Sequence, residues 1–205
     1  EVPSPLAGTL SSIKVKEGDT VEVGALLGVV NAHKSISAKS KVMLYDVGLV
    51  LAMLLQNRSK NTITGIFGND FMTYTLPKDS ILRNVTDLRK IEGKVGYSTN
   101  GYKVISYLKD NRQAVDKVMI FSDLQLWNSH YNDKHIEREW NAYKKLIAPN
   151  AKLYLFDLAG YGQSPLQVLK NDVYLIAGWS DKVFNVLDAL ENNKSALSEI
   201  KKIEI

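Results

Sequence analysis

The chain has 205 residues, of which 45% are hydrophobic, and a modest net charge of +4. Its lysines are scattered and usually lie near acidic residues, which is typical of a solvated surface rather than of a nucleic-acid binding site. It contains no cysteine, which excludes disulfide scaffolds, thiolate metal sites and cysteine nucleophiles and agrees with a reducing compartment. No apolar run approaches the roughly 18 residues of a membrane span and no secretory signal is visible, so we expect a cytoplasmic protein with neither membrane nor nucleic acid as partner.

The first 34 residues predict short β-strands. Proline and glycine divide this region into short runs, and in the first of them Ile13 and Val15 alternate with lysines, as in a half-buried strand. Glu17-Gly18-Asp19 suits a turn between strands. The apolar run Leu26 to Val30 follows and predicts a further strand.

From residue 37 onward, helical patterns alternate with short apolar strands. The gap between the first two of these strands suits an antiparallel hairpin. The alternation predicts an α/β class with a doubly wound, mostly parallel sheet and helices on both of its faces, preceded by a small all-β unit. Helices are predicted over 40–56, 79–90, 100–110, 135–147 and 181–190, and strands over 62–67, 71–76, 118–121, 152–158 and 173–177.

Three stretches near the start carry a resemblance to a known family. The stretches are Pro3 to Thr9, Val15 to Val21 and Gly24 to Lys34. They resemble the first half of a biotinyl/lipoyl attachment domain, and the resemblance implies that Lys34 stands at the biotinyl-lysine position. The methionines that flank this lysine in the family are replaced by His33 and Ser35, so we expect an ordinary exposed lysine and no biotin. A biotin or lipoyl carrier protein modified on Lys34 is the alternative.

The remainder, about residues 35–205, resembles a second family. It is similar to a von Willebrand factor A domain in the form found at the C-terminal end of Ro-type (TROVE) RNA-binding proteins. In that family the RNA is held largely by a ring of helical repeats, which this chain lacks, so RNA binding is not expected here. The matching stretches are Ser37 to Ser40 leading into Leu51 to Leu55, Gly96 to Tyr102, Val118 to Asp123 and Lys152 to Leu158.

This second resemblance implies a metal-ion-dependent adhesion site in a degenerate form. The family uses an Asp-x-Ser-x-Ser motif, a threonine and an aspartate from three loops, and Thr99 and Asp123 match the last two. Asn31, His33 and Ser35 stand where the first motif has aspartate, serine and serine. A hard cation prefers carboxylate oxygens, and Asn31 offers a neutral carbonyl. We therefore expect Mg²⁺ or Ca²⁺ to bind weakly or not at all at Asn31, Ser35, Thr99 and Asp123.

The two resemblances meet between Lys34 and Ser37 without a linker, which indicates a chimera divided at residues 1–34 and 35–205. The run Leu26 to Val30 could end the half-barrel or supply the first strand of the parallel sheet. In the former case the parallel sheet either pairs its strands near Ile63 and Met119 directly or leaves two open edges. We favour the half-barrel assignment, since that match continues through Lys34 without a gap.

The half-barrel assignment has a consequence for assembly. Half a barrel leaves unpaired strand edges and little core, and two copies could rebuild one barrel by two-fold pairing. The sequence thus predicts a homodimer. The expected function is a non-enzymatic interaction module with an unidentified protein partner.

Overall fold

The computed structural model describes the backbone of residues 9–13 and 28–31, and it describes residues 36, 40–78, 80–122, 136–160, 172–179 and 183–191. Every helix and strand predicted downstream of residue 37 is present, with ends that differ from the prediction by at most four residues. The elements in chain order are β1 Thr9–Ile13, β2 Gly28–Asn31, α1 Leu44–Arg58, β3 Thr64–Phe67, β4 Phe71–Tyr74, α2 Ile81–Lys90, α3 Tyr102–Asp110, β5 Lys117–Ser122, α4 Ile136–Leu146, β6 Lys152–Asp157, β7 Val173–Ala177 and α5 Val183–Glu191.

A three-stranded parallel sheet in the order β5-β6-β7 forms the centre of the α/β part. Its register places Lys117 beside Lys152 and Leu153 beside Val173. The side chains from Leu153 to Phe156 on the central strand have no solvent exposure. Their continuous apolar run is what a strand covered on both faces requires. The predicted parallel sheet is confirmed.

Helices cover both faces of this sheet. On one face, Trp140 of α4 and Ile105 of α3 share a buried cluster with Leu153. On the other face, Leu187 of α5 joins α1 against Phe156. This arrangement is the doubly wound α/β class that the alternating pattern predicts. Among the described residues, no helix combines the length and the apolar character needed to cross a membrane.

The β3–β4 hairpin is a separate antiparallel pair, with Thr64 opposite Tyr74 and Phe67 opposite Phe71. A third buried cluster joins it to α1 and α2 and contains Ile66. α1 therefore packs on two sides, as its apolar faces predict. Within the described parts of the chain β3 and β5 belong to different sheets, so the direct pairing of the strands near Ile63 and Met119 is not found there.

The strand β2 pairs antiparallel with β1. Thr9 lies opposite Asn31 and Ile13 opposite Gly28, with a register shift between Leu10 and Ser12. The end of the run Leu26 to Val30 is thus paired with the N-terminal strand, as the half-barrel assignment requires, and is not hydrogen-bonded to the described parallel sheet. The predicted boundary between residues 34 and 35 lies outside the described residues.

Candidate functional site

The predicted metal and attachment residues fall largely where the structure gives no description. Lys34, Ser35 and Asp123 lie outside the described residues, and Asn31 is described only as the last backbone position of β2. Thr99 is described and is half-buried in the loop before α3. Whether these residues meet at one site therefore stays a prediction.

The loop that carries Thr99 is docked on the turn between β3 and β4. The backbone N–H groups of Asn69 and Asp70 both donate to the carbonyl of Val95, at 2.7 and 3.2 Å. The N–H of Ser98 donates to Asn69 Oδ1 at 3.1 Å. These hydrogen bonds fix the loop immediately before Thr99, so its position is set by the hairpin rather than by the loop alone.

Gly96 is required for this docking. Its φ of +79° is a left-handed conformation that costs a side-chain-bearing residue energy. A Cβ at this position would lie 2.5 Å from Asn69 Cγ, which is closer than two non-bonded carbon atoms approach one another. The glycine therefore lets the Asn69 side chain reach the backbone of Ser98.

The carboxyl ends of the parallel strands are also tied together. The N–H of Leu158 donates to the carbonyl of Ser122, the last residue of β5, at 2.8 Å. Asp157 at the end of β6 has no solvent exposure, and its Oδ1 accepts hydrogen bonds from the N–H groups of Ala159 and Gly160 at 3.1 and 3.0 Å. The Asp157 carboxylate thus holds the turn that follows its strand. Its position just after an apolar run is the signal by which sequence could have found it.

A cleft that sequence reasoning missed lies between α1 and α2. It is an open depression of about 400 Å³, lined by Met43 just before α1, Tyr45 in its first turn, Arg89 at the end of α2, and Glu92 and Tyr97 from the loop that follows. The lining residues come from three segments of the chain. No short motif unites them, so no sequence pattern pointed to the cleft.

Asp46 contacts two of the residues that line this cleft, Met43 and Arg89. Its Oδ2 accepts a hydrogen bond from the N–H of Met43 at 2.9 Å, which caps the start of α1. Its Oδ1 is hydrogen-bonded to the guanidinium of Arg89, and this bond, followed by the charge of Asp46, raises the pKa of Arg89. The ion pair joins the start of α1 to the end of α2, and both of these segments contribute residues to the cleft.

Two tyrosines complete the cleft. Burial, followed by the charges of Glu92 and Asp46, raises the pKa of Tyr45 to about 12, so its phenol is neutral near neutral pH. Tyr97 is 61% exposed and lies against Gly93, where a Cβ would be only 2.5 Å from Tyr97 Oη. The cleft therefore combines a half-buried phenol, an exposed aromatic rim and charged groups of both signs.

The described residues contain no group of three histidine, aspartate or glutamate side chains close enough to hold a metal ion. The cleft lining supplies phenols, a thioether, a guanidinium and a carboxylate. These groups suit the binding of a polar or charged ligand.

Similarity to known proteins divides into two parts. Residues 1–30 match the biotin/lipoyl family model described as biotin-requiring enzyme. Over 64 residues the chain is 50% identical to the dihydrolipoyllysine-residue succinyltransferase component of the 2-oxoglutarate dehydrogenase complex of Bartonella vinsonii subsp. berkhoffii, a match that covers 31% of this chain and 16% of that protein. Over 34 residues it is 59% identical to the methylmalonyl-CoA carboxyltransferase 1.3S subunit of Propionibacterium freudenreichii subsp. shermanii, covering 17% of this chain and 28% of that subunit. The chain thus spans a minor part of these relatives.

The second part is a likeness of fold. The crystal structure of the Deinococcus radiodurans RO (RSR) protein superposes with a TM-score of 0.59 and 15% sequence identity, over 74% of this chain and 30% of that one. At this identity the likeness concerns the fold alone. Both resemblances drawn from the sequence are confirmed: a biotinyl/lipoyl-like start and a Ro-like α/β fold occur in one chain.

Proposed function

We propose that this chain, a biotinyl/lipoyl-like start joined to a Ro-like α/β fold, is a non-enzymatic interaction module that dimerises through its N-terminal strands. The observation that carries the proposal is the β1–β2 sheet, whose two strands, in the described part of the chain, pair only with each other. A two-stranded hairpin is marginal in water, and three or more strands are needed for independent stability.

A second copy is a suitable source of the additional strands. The open edges of β1 and β2 present backbone donors and acceptors that another strand can pair with. In a two-fold dimer each chain contributes the same strand edge, so the edge of one copy can pair with the identical edge of the other. The biotinyl/lipoyl resemblance adds that the whole fold of that family is built from two similar halves.

The proposed metal site is degenerate and contributes little to function. Asn31, Ser35, Thr99 and Asp123 supply one carboxylate among them, which is a poor ligand set for Mg²⁺ or Ca²⁺. The docked loop before Thr99 supports the placement of one member of the set. We propose no catalytic activity, because the chain carries no motif of a nucleophile, a phosphate-binding loop or paired carboxylates.

A carrier protein modified on Lys34 is the second candidate. It is favoured by the two curated relatives, one of which is named for a dihydrolipoyllysine residue. It is opposed by the residues that flank the lysine, His33 and Ser35, in place of the family's methionines. Intact mass measurement after co-expression with biotin and lipoyl ligases separates the candidates, because a carrier gains the mass of the cofactor and an interaction module does not.

The dimer is tested by the solution mass of the full chain, measured by light scattering at tens of micromolar. We expect twice the mass of the 22.9 kDa chain. Successive N–H groups of a strand point to opposite edges, so the double substitution Val29→Pro and Val30→Pro removes a donor from each edge of β2. This variant should be a monomer with an unchanged helical circular dichroism signal.

The matched control carries Val29→Thr and Val30→Thr, which keep both N–H groups and the branched side chains favoured in strands. It should remain a dimer. A monomeric mass for the unsubstituted chain would contradict the proposal, as would a proline variant that stays dimeric.

A further inference from the structure

The loop before α3 contains the one asparagine of this sequence that is followed directly by glycine, Asn100-Gly101. We propose that Asn100 is a site of spontaneous modification, where the backbone nitrogen of Gly101 displaces the side-chain amide and the asparagine becomes aspartate or isoaspartate. Asn100 is half-buried, so its side chain is accessible to the water that this conversion consumes. The site lies outside the N-terminal strands and does not depend on the proposed dimer.

The conversion needs water as its sole co-reactant. Water or hydroxide removes the proton from the Gly101 nitrogen, which then bonds to Cγ of Asn100, while the bond from Cγ to Nδ2 breaks and ammonia leaves. The product of this step is a succinimide ring. Water then opens the ring in one of two ways. Breaking the bond between the nitrogen and Cγ gives aspartate, whereas breaking the bond between the nitrogen and the backbone carbonyl carbon gives isoaspartate.

Gly101 is the feature that favours the attack at this position. The Gly101 nitrogen has to approach Cγ of Asn100, and a Cβ on the attacking residue would crowd that approach and restrict the backbone. Gly101 itself has φ of −56° and ψ of −24°, which is a right-handed helical conformation that other residues adopt easily. An alanine at this position can therefore keep the same backbone while hindering the reaction.

The folded loop slows the same attack. The N–H of Gly101 donates a hydrogen bond to the carbonyl of Thr99 at 2.9 Å, which places Asn100 at the centre of a three-residue turn. The chain just before this turn is anchored by the hydrogen bond from the Ser98 N–H to Asn69. The Gly101 nitrogen must leave its hydrogen bond before it can react. We therefore expect the folded chain to react about two- to tenfold more slowly than the unfolded chain, the effect of one hydrogen bond.

The two products differ in their consequences for α3, which begins at Tyr102. Aspartate keeps the main chain and places a negative charge before the start of the helix, where the helix dipole favours it. Isoaspartate adds a carbon to the main chain. It should therefore disrupt the turn at Thr99 and the hydrogen bond from the Lys103 N–H to the carbonyl of residue 100, which is 3.0 Å long in the asparagine form.

The test follows the full chain as it ages in a mildly alkaline buffer, once in its folded state and once in concentrated urea. Trypsin releases the peptide 95–103, which contains Asn100 and no other asparagine. We expect this peptide to gain the mass difference between a hydroxyl and an amino group. It should also separate into two forms, of which one is a substrate of protein isoaspartyl methyltransferase. An unaged sample digested in parallel gives the starting level.

An internal control lies in the same digest. The peptide 146–152 contains Asn150, which is exposed, and the N–H of the following Ala151 donates to the carbonyl of Ala148 at 3.1 Å. Asn150 thus resembles Asn100 in having the attacking N–H engaged in a hydrogen bond, but the next residue carries a Cβ. Although Asn150 is the more exposed of the two, it should convert more slowly.

The variant Gly101→Ala tests the chemistry directly. Its conversion is compared with that of the unsubstituted chain in urea, so the result does not depend on whether the variant folds. The variant should convert more slowly, and equal rates would overturn the proposal. A peptide 146–152 that gains mass before the peptide 95–103 does would overturn it as well. A folded chain that converts as fast as the chain in urea would contradict the restraint by the turn at Thr99.

Discussion

The β1–β2 sheet and the β5–β7 sheet differ in how much of the chain supports them. The strand β6 has a neighbour on each side and helices over both faces, and its side chains from Leu153 to Phe156 have no solvent exposure. β1 and β2 are strands of five and four residues paired, as far as the structure describes the chain, with each other alone. Burying one large apolar side chain contributes roughly 1.5–3 kcal/mol, whereas an isolated hairpin is marginal. The N-terminal sheet is therefore the one that gains most from a partner.

The difference extends to the strand edges. β5 lies at an edge of its sheet within the described residues, yet Val118 and Ile120 pack in the cluster with α3 and α4, and Met119 and Phe121 pack against the cluster with α1. An edge strand covered on both faces is supported by its own domain. β2 has a shorter paired length and a single described neighbour. Assembly through an edge is thus expected at the N-terminal sheet first.

The largest effect is expected at the centre of β6. Leu155→Ala removes a side chain with no exposure and leaves a cavity beside α3 and α4, so the free energy of unfolding should fall by about 2–5 kcal/mol in urea denaturation. Leu82→Ala, at a side chain that is 75% exposed, should change it by less than about 0.5 kcal/mol. Leu155→Ala should leave the solution mass of the folded protein unchanged. A lost dimer with little lost stability would reverse the comparison of the two sheets.

A smaller effect is expected at Gly96. Gly96→Ala forces a left-handed backbone on alanine and also a clash with Asn69, and we expect a loss of about 2 kcal/mol in the free energy of unfolding. Gly160→Ala is the matched control, because its φ is +70° while nothing lies within 4 Å of the new Cβ. It should cost about 1 kcal/mol, the backbone term alone. Equal losses in the two variants would show that the contact with Asn69 carries no energy.

The ion pair between Asp46 and Arg89 should contribute still less to the free energy of unfolding. Asp46→Asn weakens both the cap on Met43 and the pair with Arg89, whose side chain is 48% exposed, so we expect a loss of about 1 kcal/mol in the free energy of unfolding. Asp87→Asn, in the exposed pair with Lys90, should cost less than Asp46→Asn, because solvent screens an exposed ion pair. A variant at Asp46 that is as stable as the one at Asp87 would mean that α1 and α2 are joined by apolar packing alone.

Much of the α/β part could be predicted from the sequence because its signals are local. The apolar run Lys152 to Leu158 predicts a buried strand, and Gly68-Asn69-Asp70 between two short runs predicts a hairpin. The run Leu26 to Val30 is different, since a continuous apolar segment fits either a half-barrel or a parallel sheet. The match through Lys34 favoured the half-barrel, and the pairing of β2 with β1 agrees with it.

The cleft could not be predicted because its residues are distant in the sequence and come together only in the folded chain. Asp46 and Arg89 are separated by 43 residues, and each alone reads as an ordinary surface charge. The raised pKa of Tyr45 arises from burial between elements, which no sequence pattern encodes. The metal and attachment residues present the opposite case. They follow from family motifs, and their meeting at one site stays a prediction.

The smallest expected effect on stability comes from Tyr45. It appears only at alkaline pH and belongs to the α/β part, so it distinguishes this part from the N-terminal sheet. Its pKa is raised from 10.0 to about 12, chiefly by burial, so the folded chain holds the phenolic proton more tightly than the unfolded chain does. The stabilising contribution is complete below about pH 10 and is lost as the pH rises from about 10 towards 12. Its size is limited because the ring is only half-buried. Urea midpoints measured across this range should fall more steeply for the unsubstituted chain than for Tyr45→Phe.

The chain with proline at positions 29 and 30 should lose stability over this pH range as the unsubstituted chain does, because Tyr45 belongs to α1 and its environment is built from α2 and the following loop. If the alkaline loss disappeared in that variant, the N-terminal strands would have to contribute to the packing around α1. Parallel pH curves for the unsubstituted chain and Tyr45→Phe would instead show that the phenol titrates alike in the folded and unfolded chains. Burial also raises the pKa of Tyr143, which every one of these variants keeps, so Tyr45→Phe should lose part of the alkaline fall and not all of it.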